Sequence, residues 1–319
     1  MMSRIIELMN SPCPLPSDRP VRIVTHSGSF HADELLAVAT LQIYLDRLGL
    51  NYVVLRSRDL AVIKSADIVC DVGGILDPSS GRFDHHQRDG GGERNGIPYS
   101  SFGLIWKHFG PLLCGSNALA WGTIEQRIAY PIDAGDNGLN SYNPILPGVQ
   151  PLLFHHIVFA FHPTWKEKEA GVSTDTQFAE LLPLAKRFME RELTVARDEE
   201  EGALLVRELL AGLTDLRVVA IDRDLPWEVE IAKHPEPMFV VSPRYSGETE
   251  MTWHAEAVRS DVNTFESRKK FPEAWCGLMG AELERVTGVQ GAIFCHKKGF
   301  LTTAKTKDAA IALAESALK

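Results

Sequence analysis

The chain has 319 residues, 45% of them hydrophobic and 24% charged, with a formal net charge of −9. That size and composition suit a globular chain able to bury sizeable cores, and two domains are expected rather than one. The negative balance excludes a protein that grips nucleic acid with its whole surface, because phosphate neutralisation needs clustered Lys and Arg; any such contact is confined to a local groove. The cysteines Cys13, Cys70, Cys114, Cys276 and Cys295 are scattered and form no close pair. This argues against a zinc knuckle or disulfide framework and for a reducing compartment. No run approaches the roughly eighteen apolar residues of a membrane span, and Met1 to Pro20 mixes charges with prolines, so no membrane partner is expected. The expected location is intracellular, in cytoplasm, nucleus or mitochondrion, with no clear targeting segment.

Residues 1–20 read as an N-terminal extension. Val21 to Thr25 is a short β-branched run ending in His26-Ser-Gly-Ser-Phe-His31, after which Leu35, Leu36, Ala39, Ile43 and Leu45 recur at helical spacing. Strand, loop and helix are expected in that order. Tyr52 to Leu55 then reads as a strand, Leu60 to Ser65 as a short helix, and Asp67 to Val72 as a buried strand ending in Gly73-Gly74. This alternation predicts an α/β fold, a mainly parallel sheet with helices on both faces, and such sheets gather ligands at the carboxyl ends of their strands. His26 and Asp71 fall there. Asp89 to Gly96 reads as a flexible loop, a lid or simply a connection, and Tyr99 to Gly110 as a capped helix.

Between Ser173 and Leu213, apolar residues such as Phe178, Leu182 and Leu209 sit among many charges, which suggests long amphipathic helices joining two domains. The boundary is expected near Arg197, with a metal-binding catalytic domain at 21–197 and a smaller α/β substrate-binding domain at 198–319. In the latter, Arg217 to Ile221, Met238 to Ser242, Met251 to Val258 and Gly291 to Cys295 read as strands, and Asp308 to Leu318 as a terminal helix.

Four clusters can carry chemistry. His26, His31 and Asp33 lie in one loop, where they can converge on a cation, or where Asp33 simply caps the helix. Asp71 ends an apolar strand beside two glycines, leaving room for a metal or phosphate, or it bonds its own turn. Asp84-His85-His86 follows a turn at Asp77-Pro78. In Asp133-Ala-Gly-Asp136-Asn-Gly138 either aspartate can complete a site, with Asp133 favoured and Asp136-Asn137-Gly138 open to an Asx-turn reading. His155 and His156, within an apolar run, read as structural histidines, as do His108, His162 and His234.

These clusters, in this order, resemble the DHH phosphoesterase superfamily, and within it the melanocyte-proliferating-gene exonucleases. The resemblance is carried by Thr25 to Glu34, Ala66 to Gly74, Arg82 to Arg88, Ser100 to Gly110, Ile132 to Gly138, Asn263 to Arg268, Phe271 to Leu278 and Phe294 to Phe300. It implies a metal-dependent phosphodiesterase, a 3′-to-5′ exonuclease on single-stranded RNA or an oligonucleotide, with two divalent ions, Mn2+ or Mg2+. His26, His31 and Asp71 would hold one ion and Asp33, Asp71, His85 and Asp133 the other. His86 would touch the phosphate, and Asp84 would fix a histidine tautomer. His31 departs from the broader superfamily, where aspartate is usual, and Gly299-Phe300 is followed by Leu301-Thr-Thr where related enzymes carry a glycine pair.

Substrate contacts are expected from Arg268, His296, Lys297 and Ser101, with Phe300 available for base stacking; Arg88 and Lys107 are further site candidates, and Asp136 is the alternative to Asp133 as last ligand. Two other readings compete: a phosphatase for pyrophosphate or short oligonucleotides, and a non-catalytic scaffold that keeps a metal for structure.

Overall fold

β-branched residues in Val21–Thr25 (β1), Tyr52–Arg56 (β2) and Ile68–Cys70 (β3) form parallel strands with β1 in the middle. Leu76–Asp77 (β4) and Arg82–Phe83 (β5) complete the sheet in the order β2-β1-β3-β5-β4, β5 parallel to β3 and β4 antiparallel at the edge. The structure is a computed structural model and describes residues 11–115, 118–246, 250–261 and 264–319, so Asn263 of the quoted motifs lies outside the described residues.

Because strand side chains alternate, β1 serves two cores. Val21 and Ile23 face the larger one, with Ile68, Cys70 and Phe83, against Leu35, Leu36, Phe102, Trp106 and Phe109 of the helices Ala32–Arg47 and Ser101–Cys114. Val24 faces the other way, with Val69 and Val72, against Ile63 of the short helix Leu60–Lys64. This is the expected α/β arrangement. The segment expected to be a flexible loop contains a small hairpin, Glu93–Arg94 (β6) with Ile97–Pro98 (β7). Its turn residues Asn95 and Gly96 have φ of 53° and 77°. Asn-Gly tolerates the left-handed region that a tight hairpin turn requires.

The described residues divide into two compact units, one ending at Arg197 and one beginning at Asp198. A single helix, Thr174–Ala211, occupies the stretch where several were expected. Its Phe178, Leu181, Met189 and Leu193 belong to the N-terminal core, and its Val206 and Leu210 to a core with Val219, Trp227 and Ile231.

The C-terminal unit is built on Val218–Ala220 (β8), Phe239–Ser246 (β9), Glu250–Ala257 (β10), Ala292–Cys295 (β11) and Leu301–Ala304 (β12), in the order β11-β12-β10-β9-β8. All pairs are antiparallel except β8 with β9. The helix Lys307–Leu318 packs Ala310, Leu313, Ala314 and Ala317 against Phe239, Val241 and Ala255. β12 was not marked as a strand in the sequence; Leu301 to Thr303 pair with β10 on one side, and β11 flanks β12 on the other. Among the described residues no helix is long and apolar enough to cross a membrane.

Candidate metal centre

Three parallel strands end in candidate ligands: β1 in His26, β3 in Asp71, and β5 in Asp84-His85-His86. Asp71 is the hub. Its φ is +60°, a left-handed conformation that a non-glycine residue adopts at a cost, and its N–H donates to Phe83 O at 3.2 Å. Turned this way, the carboxylate faces two groups at once. Oδ2 lies 3.1 Å from His26 Nε2, while Oδ1 lies 3.3 Å from His85 Nε2 and accepts from Ser101 Oγ at 3.2 Å. Burial alone would raise the Asp71 pKa, but the contacts from His26 and His85 hold it below the usual carboxylate range.

Donor atoms of three overlapping groups lie within 4.8 Å of one another: His26, His31, Glu34 and Asp71; Asp71, His85 and His86; and His31, Asp33 and Asp136. Asp33 is fully buried, and among the described residues neither of its carboxylate oxygens has a hydrogen-bond partner. Burial, then the charges of Asp71, Asp136 and Glu34, push its pKa well above normal. Asp136 Oδ2 lies 3.3 Å from His85 Nε2, and burial likewise raises its pKa against the pull of His85. His85 Nε2 and Glu34 Oε1 are also buried without an aligned partner. Buried carboxylates and imidazoles left unpaired cost several kcal/mol unless a cation joins them, of order 1–3 kcal/mol for each unmet group. A mixed imidazole and carboxylate set fits a divalent cation.

Asp133, favoured in the sequence over Asp136, is not among these three groups. Its Oδ1 accepts from Ser100 N at 3.1 Å, Ser100 Oγ at 2.5 Å and Gly103 N at 3.1 Å, and its Oδ2 lies 2.8 Å from Arg94 Nη2. Oδ1 is therefore committed to three donors, while Oδ2 is buried beside Arg94 without an aligned hydrogen bond. A Cβ at Gly103 would fall 2.2 Å from Asp133 Oδ2, so the missing side chain makes room for this anchor. Burial raises the Asp133 pKa to about 6 despite Ser100 and Arg94.

Other expected residues also have defined places. Ser101, expected at the substrate, is fully buried and donates to Phe83 O at 3.0 Å as well as to Asp71, so its hydroxyl orients the hub. Asp84 is buried; Oδ2 accepts from Gly74 N at 2.5 Å, and Oδ1 accepts from His85 N at 2.8 Å and His86 N at 3.1 Å. His86 Nδ1 meets the same Oδ1 at 2.8 Å, so the ring is held by Asp84. Arg88 and Lys107 are exposed, the latter with Nζ 4.9 Å from the Tyr99 ring centroid. Glu34, the last residue of the Thr25 to Glu34 motif, joins His26, His31 and Asp71 in the first group, a place that its position in the first helical turn does not announce.

In the C-terminal unit, Arg268 donates to His234 O at 2.5 Å, Pro237 O at 3.0 Å and Ala232 O at 3.3 Å. The guanidinium, expected at the substrate, staples these backbone carbonyls together. His296 packs on Phe300, ring centroids 4.3 Å apart, and its Nδ1 accepts from Lys298 N at 3.2 Å. Lys297 is exposed.

Residues 22–318 match the family model described as MYG1_exonuc, Uncharacterised protein family (UPF0160). MYG1 protein C694.04c of Schizosaccharomyces pombe is 32% identical over 329 residues, covering 93% of this chain and 97% of that protein. The MYG1 exonuclease of Mus musculus is 30% identical over 334 residues, covering 94% of this chain and 85% of its own length. A MYG1 protein of Chlamydia pneumoniae is 32% identical over 292 residues, covering 89% of this chain and 91% of that one. With the match spanning both units, the chain belongs to the MYG1 exonuclease family.

Proposed function

We propose that this chain is a metal-dependent phosphodiesterase, a 3′-to-5′ exonuclease acting on single-stranded RNA through two divalent ions, Mn2+ or Mg2+. The relatives named MYG1 exonuclease support nuclease action. The observation that carries the two-ion reading is Asp71, whose two oxygens face separate donor groups, as a bridging carboxylate must. Charge agrees with it: Asp33, Glu34, Asp71 and Asp136 supply four negative charges at most, which two divalent ions balance. Asp136 replaces Asp133 in the proposed ligand set.

Ions bound there would supply Lewis acidity toward the scissile phosphoryl group. The chain's own residues do the rest. Asp71, fixed by Ser101 and by its backbone bond to β5, holds the two donor groups in register. His86, anchored at Nδ1 by Asp84 and largely exposed, is free to meet a phosphate oxygen with its other nitrogen. The C-terminal unit, residues 198–319, would bind the strand. It contains a cavity of about 330 Å³ whose lining includes the aromatic residues Phe265 and Phe300, the cations Lys270 and Lys298, and the carboxylates Glu228 and Glu256; its aromatic and cationic side suits a base and its phosphate.

Degradation of 5′- and 3′-labelled single-stranded RNA and DNA, side by side with Mn2+ or Mg2+, tests this reading. The expected result is stepwise shortening of 5′-labelled RNA, abolished by chelator and by Asp71→Asn. Shortening from the 5′ end, or preference for DNA, overturns polarity or substrate, and turnover confined to pyrophosphate or dinucleotides moves the chain to the small-molecule class.

A further inference from the structure

The first turn of the helix Ala32–Arg47 carries two adjacent, fully buried carboxylates, Asp33 and Glu34. Glu34 divides its oxygens. Oε2 accepts from His31 N–H at 2.7 Å, the reciprocal cap that a glutamate in the third helical position commonly makes. Oε1 has no aligned partner, although His26 Nε2 lies only 3.0 Å away.

His26 explains what Oε1 is waiting for. Its Nδ1 lies 3.2 Å from Ser27 O; with Nδ1–H donating to that carbonyl, Nε2 carries the lone pair that a cation takes. Nε2 stands between Glu34 Oε1 at 3.0 Å and Asp71 Oδ2 at 3.1 Å. A single proton on Nε2 points at one of these oxygens at a time. A cation bonded to all three satisfies them together: atoms about 2.1 Å from an ion and at right angles to each other sit about 3.0 Å apart.

We infer that Glu34 Oε1 is a direct ligand of the ion shared with His26, His31 and Asp71, so that the protein gives this ion two imidazoles and two carboxylates. The inference rests on the metal reading proposed above and adds to it an anionic ligand and an asymmetry. An ion there would meet four protein donors, two of them imidazole nitrogens, which would favour Mn2+, Co2+ or Zn2+ over Mg2+.

The test is calorimetric titration of Mn2+, and separately Mg2+, into the metal-stripped full chain, wild type against Glu34→Gln, with no substrate present. Glutamine keeps the shape and the cap to His31 N–H but removes the charge. The expected result is one Mn2+ site weakened by more than about 100-fold, beyond the range for losing a residue that only supports a ligand. A thermal midpoint of the stripped variant equal to that of the stripped wild type shows that the cap survives. A loss of about 10- to 100-fold with unchanged stoichiometry makes Glu34 an orienting residue for His26 and overturns ligation, as does equal binding by both proteins. If the wild type binds no divalent cation, the metal reading itself falls, and this inference with it.

Discussion

His86 Nδ1 lies 2.8 Å from Asp84 Oδ1, and the His86 side chain is 60% exposed while Asp84 is buried. The same oxygen accepts the backbone N–H of His85 and of His86, so the carboxylate fixes the tripeptide and the ring in one stroke. Asp84→Asn keeps the shape but weakens the acceptor for the ring N–H. The expected loss in kcat is about 10- to 100-fold, with KM little changed. The discriminating measurement is a double-mutant cycle: in the His86→Ala background, Asp84→Asn should cost little more. Additive losses would mean that Asp84 acts by some route other than this ring.

Asp133 and Asp136 should separate cleanly. Asp136→Asn removes an oxygen that faces His85 and should abolish hydrolysis and weaken Mn2+ binding, while the metal-free protein keeps its thermal midpoint. Asp133→Ala removes one of the two carboxylates beside Arg94, leaving Glu125 Oε1 at 3.3 Å, and strips the acceptor from Ser100 and Gly103, which should cost about 1–3 kcal/mol of stability. Thermal unfolding and metal titration of both variants give the answer. The reverse pattern would return Asp133 to the metal site.

Arg268 and Lys297 make a similar contrast in the C-terminal unit. Arg268→Lys replaces a planar fork bonded to three carbonyls with a point charge, so a stability loss of about 1–3 kcal/mol is expected. The salt dependence of RNA binding should not move. Lys297→Ala should leave stability alone and reduce the slope of log K against log salt by about 0.7, the value for one phosphate contact on a single strand. An Arg268 variant that flattens the slope while folding normally would restore it as a substrate contact.

His26 and Asp71 were legible because polar residues that close apolar β-branched runs fall at the carboxyl edge of a parallel sheet, whereas Asp84-His85-His86 follows only Arg82–Phe83 and was legible from its composition and resemblance. Asp136 was not separable from Asp133 for an equally physical reason. They lie one helical turn apart, at Tyr130–Asp136, and which one faces the hub depends on how that helix is rotated. The rotation is fixed by tertiary contacts, above all the space at Gly103 into which Asp133 fits. Glu34 looked like a cap because it is one; only its burial and the orphaned Oε1 reveal a second oxygen to be accounted for. Arg268 hides its partners 31 to 36 residues away in the chain, where no local pattern points.

A pH effect independent of the metal centre is expected from Glu230 in the C-terminal unit. Hydrogen bonds from Arg207, at 2.9 Å from Nε, and from Lys233 lower its pKa from 4.5 to about 2, against the opposing effect of burial. A carboxyl whose folded value is depressed binds protons more readily in the unfolded chain. Its stabilisation is therefore complete above about pH 4.5 and drains away as pH falls toward 2. Arg207 and Lys233 are half exposed, so solvent screening limits the contribution to about 1 kcal/mol. Hydrogen exchange in β8 and β9 of wild type and Glu230→Gln, at pH 6 and pH 3, measures it. The wild type should be the more protected at pH 6, and the gap should narrow at pH 3; a gap that widens on acidification would show that the Glu230 charge opposes folding.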